Sequence, residues 1–146
     1  MSRAAPDRRA FIGLSLGALL TGASGCASLA SVSVPAPGGR LRLQPRAHPG
    51  LEGPGGFLKV QPEGWELPLY VLRGDDGGYA AVSPICTHLG CVVDVEGRSL
   101  VCPCHGSTYT RTGEVVRGPA ERPLRRYPLR VEADGALVID VGAGER

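Results

Sequence analysis

From Arg40 onward, apolar and polar positions alternate in short runs, and no stretch sustains a helical period. Arg40-Leu41-Arg42-Leu43 puts its leucines on one side of an extended chain, as a half-buried strand requires. Phe57–Val60, Leu69–Leu72 and Tyr79–Val82 are further strand candidates, with a hairpin turn at Asp75-Asp76-Gly77-Gly78 between the last two. Val92–Val95 and Ser99–Val101 flank Glu96-Gly97 as a second hairpin. Glu114–Arg117 follows, and Tyr127–Glu132 pairs with Ala136–Val141 across Ala133-Asp134-Gly135. The pattern predicts an all-β fold of antiparallel sheets without internal repeats.

Composition agrees with many short strands and turns. Gly (22) and Pro (13) make up almost a quarter of the 146 residues, and aromatic residues are few, so the core must be built from Val and Leu. The length allows one domain with a modest core plus extensions. Net charge is only +2, and the arginines are spread among acidic residues without aromatic interleaving. Nucleic-acid binding has no support.

The N-terminal part reads differently. Asp7-Arg8-Arg9-Ala10-Phe11-Ile12 opens an uncharged stretch, apolar and rich in small residues from Phe11 to Gly25, as in a secretory signal. Arg8 and Arg9 followed by x-Phe-Ile resemble a twin-arginine export signal, a pathway suited to cargo that folds around a cofactor first. Ala23-Ser24-Gly25-Cys26 resembles a bacterial lipobox with Cys26 as the acylated residue, although Ala stands where Leu is usual. An uncleaved anchor from about Phe11 to Val34 is the alternative. It is long enough to span a bilayer, but its Gly, Ser and Thr content makes it a poor spanning helix. Either route leaves the domain tethered on the outer, periplasmic side of the cytoplasmic membrane. The expected organisation is residues 1–34 as signal or anchor, 35–39 (Pro35-Ala36-Pro37-Gly38-Gly39) as linker, and 40–146 as the folded domain.

The chemistry is concentrated in two boxes, Cys86-Thr87-His88-Leu89-Gly90-Cys91 and Cys102-Pro103-Cys104-His105-Gly106-Ser107-Thr108-Tyr109. Each follows a strand candidate, and the hairpin between them can bring the two loop tips together. Two cysteines and two histidines also suit tetrahedral Zn²⁺, but zinc sites usually pair Cys with Cys and His with His. Here each box mixes the two types and carries one extra cysteine.

Cys-x-His followed by Cys-x-x-His resembles the ligand pattern of Rieske [2Fe–2S] proteins, a likeness that covers roughly the C-terminal hundred residues. It implies one [2Fe–2S] cluster per chain, with Cys86 and Cys102 on one iron and His88 and His105 on the other. It also implies a Rieske-type domain whose cluster-binding part, about residues 83–124, is formed by two loops at hairpin tips. Two thiolates and two neutral imidazoles leave the oxidised site neutral, so an electron is added more easily than to an all-cysteine site. The potential then lies between about −150 and +300 mV, against about −400 mV for plant-type clusters. By the same resemblance, Cys91 and Cys104 form a disulfide, for which export supplies the oxidising compartment. Ser107 and Tyr109 match the hydroxyl donors to cluster sulfur in high-potential members. Gly118-Pro119-Ala120-Glu121-Arg122-Pro123 is similar to the proline-rich segment that covers the cluster, with Glu121 where the family commonly has Pro.

The resemblance implies a membrane-tethered electron-transfer protein, as in quinol:cytochrome c reductase. There His105 would contact quinol, and cytochrome b and a c-type cytochrome would be partners. The ten residues between Cys91 and Cys102 are fewer than bc-type subunits usually carry. They keep open a small relay subunit of a periplasmic oxidoreductase, similar to that of arsenite oxidase, serving a large subunit, or a stand-alone lipoprotein carrier. A structural zinc module is the non-redox alternative. His48 is expected to be a solvated loop residue and Trp65 a core or lid residue. Arg122, Arg125, Arg126 and Arg130 form a basic cluster expected to be mainly solvated.

Overall fold

The computed structural model describes residues 31–143. Arg8, Arg9 and Cys26, on which the export and lipidation expectations rest, lie outside the described residues. Among the described residues no helix is long and apolar enough to cross a membrane.

Among the described residues, eleven strands form three sheets. The first sheet has the order β1 (Val32–Val34), β3 (Phe57–Pro62), β4 (Leu69–Arg73), β5 (Tyr79–Val82). The second has β10 (Leu129–Val131), β11 (Leu137–Asp140) and β2 (Arg40–Leu43). The third is β6 (Asp94–Glu96), β7 (Ser99–Val101), β8 (Thr108–Thr110) and β9 (Val115–Arg117). All pairings are antiparallel except β1 with β3. The all-β expectation holds.

The continuous apolar run Leu69-Tyr70-Val71-Leu72 shows why there are two cores. Side chains alternate between the faces of a strand, so a strand apolar at every position is covered on both sides. Leu69 and Val71 join Leu41, Leu43, Val60, Leu137 and Ile139 in the core of the base. Tyr70 and Leu72 face the other way, into a core with Val82, Val93, Leu100, Tyr109 and Leu124 that carries the third sheet. The Tyr70 hydroxyl donates to the Val93 carbonyl at 3.0 Å and ties the two regions together.

Two further ties come from arginines. Arg111, almost fully buried, donates Nη1 to the Gly97 carbonyl at 2.7 Å, and Nη2 to the Gly55 and Gly56 carbonyls at 2.7 and 2.6 Å. Burial pushes its guanidinium pKa down, opposed by Asp75. Arg98, beside Gly97 in the β6–β7 turn, pairs with Asp75 at 3.5 Å.

Two expectations need correction. The domain begins before Arg40: β1 pairs with β3 in the register Val32↔Val60, Val34 is buried, and the 35–39 segment is not a free linker. Pro37–Gly39 forms a 3₁₀ turn, and the Gly39 carbonyl accepts from Val141 and Gly142 at 2.8 and 3.2 Å. The reason is pairing with a partner 28 positions away, which short-range alternation does not report. Trp65 is no core residue. It is 39% exposed on the loop after β3, where its carbonyl accepts from Gln61 Nε2 at 2.6 Å.

Candidate metal centre

The two boxes fold into loops of the same shape. In the first, Cys86 N–H donates to the Cys91 carbonyl at 2.7 Å and Gly90 N–H to the Cys86 carbonyl at 2.9 Å. In the second, Cys102 N–H donates to the Ser107 carbonyl at 2.8 Å and Gly106 N–H to the Cys102 carbonyl at 2.9 Å. Each loop therefore turns back at a glycine four residues after its first cysteine. Gly90 and Gly106 take φ of 80° and 73°, a left-handed conformation that costs glycine least. The loops sit where strands end, the first after β5 and the second directly after β7. The β6–β7 hairpin, closed by the pairing Glu96↔Ser99, lies between them.

This layout sets the two thiols near each other and the two imidazoles against each other. Cys86 and Cys102 carry free, buried sulfurs, 2% and 1% exposed. The His88 and His105 rings meet nearly at right angles with centroids 4.8 Å apart. His88 is half-buried, and its Nδ1 is buried without a hydrogen-bond partner. His105 is exposed. Cys91 and Cys104 are joined in a disulfide with Cα atoms 6.6 Å apart, clamping one loop to the other. Their sulfurs lie within 4.8 Å of the Cys102 sulfur, but as a disulfide they offer no thiolate to a metal.

Hydroxyl groups converge on the same sulfur. Tyr109 is fully buried with Oη 3.2 Å from Cys86 Sγ. The Thr87 N–H donates to that oxygen at 3.2 Å, which leaves the phenol proton for an acceptor such as the sulfur. Burial pushes the Cys86 thiol pKa up. Hydrogen bonds from the Tyr109 hydroxyl, the His88 backbone N–H, Cys102 and Ser107 pull it down, and the net shift is downward. Tyr109 is shifted upward, first by burial and then by Cys86, so the phenol keeps its proton.

The 118–123 segment is fastened over these loops at two points. Ser107 Oγ accepts from Ala120 N–H at 3.0 Å, so its own proton is available toward the buried sulfurs. Thr87 Oγ1 donates to the Arg122 carbonyl at 2.6 Å and lies 3.2 Å from Tyr109 Oη. Gly118 and Pro119 are exposed while Ala120 is buried, so the segment is anchored mainly through Ala120 and the Arg122 carbonyl. Thr87 carries as many contacts as Tyr109 here, and the sequence offered no sign of it beyond its place between Cys86 and His88.

Two buried thiols, a paired set of imidazoles and an orphaned buried ring nitrogen suit a group bound by two sulfurs and two nitrogens. The description Rieske [2Fe-2S] domain matches residues 53–128, just over half of the chain. The chain belongs to the Rieske [2Fe–2S] family, whose members carry one such cluster in this domain.

Within that family it is similar to the cytochrome b6-f complex iron-sulfur subunit of Chlorobaculum tepidum, with 38% identity over 95 residues, 64% of this chain and 51% of that one. It is 51% identical over 77 residues to the chloroplastic subunit of the same name from Bigelowiella natans, covering 49% of this chain and 30% of that one. The chain spans about half the length of the curated relatives it matches first. Among solved structures it is similar to a chain in the complex of reduced oxygenase and oxidized ferredoxin in carbazole 1,9a-dioxygenase. The TM-score is 0.50 and the identity 26%, over 64% of this chain and 86% of that chain.

Proposed function

We propose that Cys86, Cys102, His88 and His105 hold the [2Fe–2S] cluster, and that the protein is a high-potential electron carrier tethered outside the cytoplasmic membrane. When bound, the cluster supplies one-electron chemistry. The observation that carries the reading is the buried pair Cys86 and Cys102 beside the facing rings of His88 and His105, with the Tyr109 hydroxyl at 3.2 Å from Cys86 Sγ.

Each side chain has a physical role. Cys86 and Cys102 present thiolates from a buried floor that excludes water. His105, being exposed, can offer its imidazole to a hydrogen-bonding partner such as a quinol. The Tyr109 and Ser107 hydroxyls donate toward sulfur and favour the more negative, reduced state, which raises the potential. The Cys91–Cys104 disulfide keeps the two loops in register.

Leu89, next to His88, and Val92, next to Cys91, are 68% and 49% exposed and offer apolar side chains for docking against a partner. Quinol oxidation at His105, with onward transfer to a c-type cytochrome, is the function this arrangement supports best. The cytochrome b6-f names of the relatives point the same way. The N-terminal stretch with Arg8, Arg9 and Cys26 supports export and lipid tethering. A second reading, a small relay subunit of a periplasmic oxidoreductase, is favoured by the β6–β7 hairpin, whose strands have only three residues each.

The test is purification of the full chain with its cofactor, followed by iron and zinc analysis, EPR and redox titration. A reduced-state EPR signal of a histidine-ligated [2Fe–2S] cluster and a potential within about −150 to +300 mV are expected. Colourless protein containing zinc would overturn the cofactor assignment. Rapid reduction by quinol supports the first function; reduction only by an oxidoreductase large subunit supports the second. Mass analysis of Cys26 checks the tether.

A further inference from the structure

The basic cluster legible in the sequence is taken apart by the fold. Arg126 pairs with Glu114 at 3.4 Å, and Arg130 with Glu132 at 3.6 Å. Arg125 lies over the Tyr127 ring, 5.1 Å from its centroid. Three of the four arginines are thus engaged away from the histidines. Arg122 is left, and a different arginine, Arg117, joins it.

Arg117 ends β9 opposite Thr108, and its Nη2 lies 3.7 Å from where a Cβ on Gly106, the neighbour of His105, would stand. Arg122 sits across the site, its carbonyl taking the Thr87 hydroxyl between Cys86 and His88. Both are exposed, and neither has an ion-pair partner among the described residues. The ligand loops that these two residues adjoin also expose His105, Leu89 and Val92.

Carboxylates are scarce at this end. Glu114 is held by Arg126, and Glu96 lies at the β6–β7 turn, away from the ligand loops. Asp94 is on the edge strand β6, next to the Val93 carbonyl that contacts the base. Exposed Glu121 lies in the cover segment, against two guanidinium groups that have no ion-pair partner among the described residues. Unpaired guanidinium groups flanking an apolar electron port create a positive field that steers a complementary surface into register.

We propose that this face docks a redox protein whose own electron port is apolar and rimmed by carboxylates, with Arg117 and Arg122 supplying the complementary charge. The proposal rests on the electron-transfer reading and specifies the partner's surface. The Arg122 guanidinium is free for this role because the cover segment is held through the Arg122 carbonyl and not its side chain.

The test uses the reduced, cluster-loaded full chain in stopped-flow mixing with two c-type cytochromes. One has a haem edge rimmed by carboxylates and the other by lysines. The double variant Arg117→Glu/Arg122→Glu should slow reaction with the first by about tenfold at low ionic strength and speed reaction with the second. Both effects should vanish as salt shortens the Debye length. The Gln double variant should show the same trend at smaller size. Arg130→Glu makes half that charge change on the base and should leave both rates within about twofold. Midpoint potential and EPR, measured in parallel, separate lost docking from lost driving force. Unchanged rates in the double variant, or equal slowing by Arg130→Glu, would overturn the proposal. A chain that binds no cluster fails at the EPR step and overturns instead the reading on which the proposal rests.

Discussion

In the base, Leu41, Leu43, Val60, Leu69, Val71, Leu137 and Ile139 close over one another with almost no polar group among them. In the cluster-binding region, strands of three residues enclose Leu72, Val82 and Leu100, and the same core holds Cys86, Cys102 and Tyr109. The base is held by area removed from water, which is non-directional and tolerates approximate fit. The cluster-binding region mixes cysteines and tyrosines into its core and adds directed contacts: a disulfide, paired loop hydrogen bonds and hydroxyl groups aimed at sulfur. A scaffold and a redox site are thereby built by different forces within one short chain, and substitutions should separate them.

The largest separation should come from Cys86→Ser. Iron per chain should fall close to zero, while circular dichroism still reports the β-structure of the base; loss of both together would break the comparison. Leu137→Ala does the reverse. It should cost about 2–5 kcal/mol in denaturant unfolding, with the EPR signal unaltered wherever the protein is folded.

Removing the disulfide with Cys91→Ser/Cys104→Ser should cost about 3 kcal/mol for a loop of this size. Cluster release should accelerate more than global unfolding. Equal acceleration would mean that the disulfide stabilises the whole chain and not the ligand loops in particular. Arg111→Met removes the donor to the Gly55, Gly56 and Gly97 carbonyls and should cost about 2 kcal/mol. Hydrogen exchange should then show the third sheet opening before the base.

The smallest effect concerns the potential alone. Tyr109→Phe and Ser107→Ala should each lower the midpoint by about 60 mV, the one-electron equivalent of about 1.4 kcal/mol for a hydrogen bond to a charged group. Stability should change little. An unchanged redox titration would show that these hydroxyls are packing residues.

Strand alternation was readable wherever the local pattern is clean and bounded by turns. Arg40–Leu43, Tyr79–Val82 and Ser99–Val101 lie at the positions their patterns indicate, although the partner of Arg40–Leu43 is the distant β11. Reading failed where a neighbouring signal or the chemistry hides the pattern. Val32–Val34 follows a stretch that looks like export signal, yet it pairs with Val60–Pro62. Thr108–Thr110 overlaps the end of the second box, and its threonines do not announce a strand.

What the sequence determined alone was local and covalent: which donor types stand at which spacing, and hence which cofactor the two loops suit. Spacing along a loop is set by bond geometry, so it survives without knowledge of the rest of the fold. Tertiary structure alone decided which polar groups meet. Thr87 reaches both Tyr109 and the Arg122 carbonyl, Ser107 takes the Ala120 N–H, and Arg111 spans two regions. It also left Arg117 and Arg122 without ion-pair partners next to the ligand loops while Arg126 and Arg130 found carboxylates. Such contacts depend on how strands distant in sequence are laid together, and a charge has no partner until the chain has folded around it.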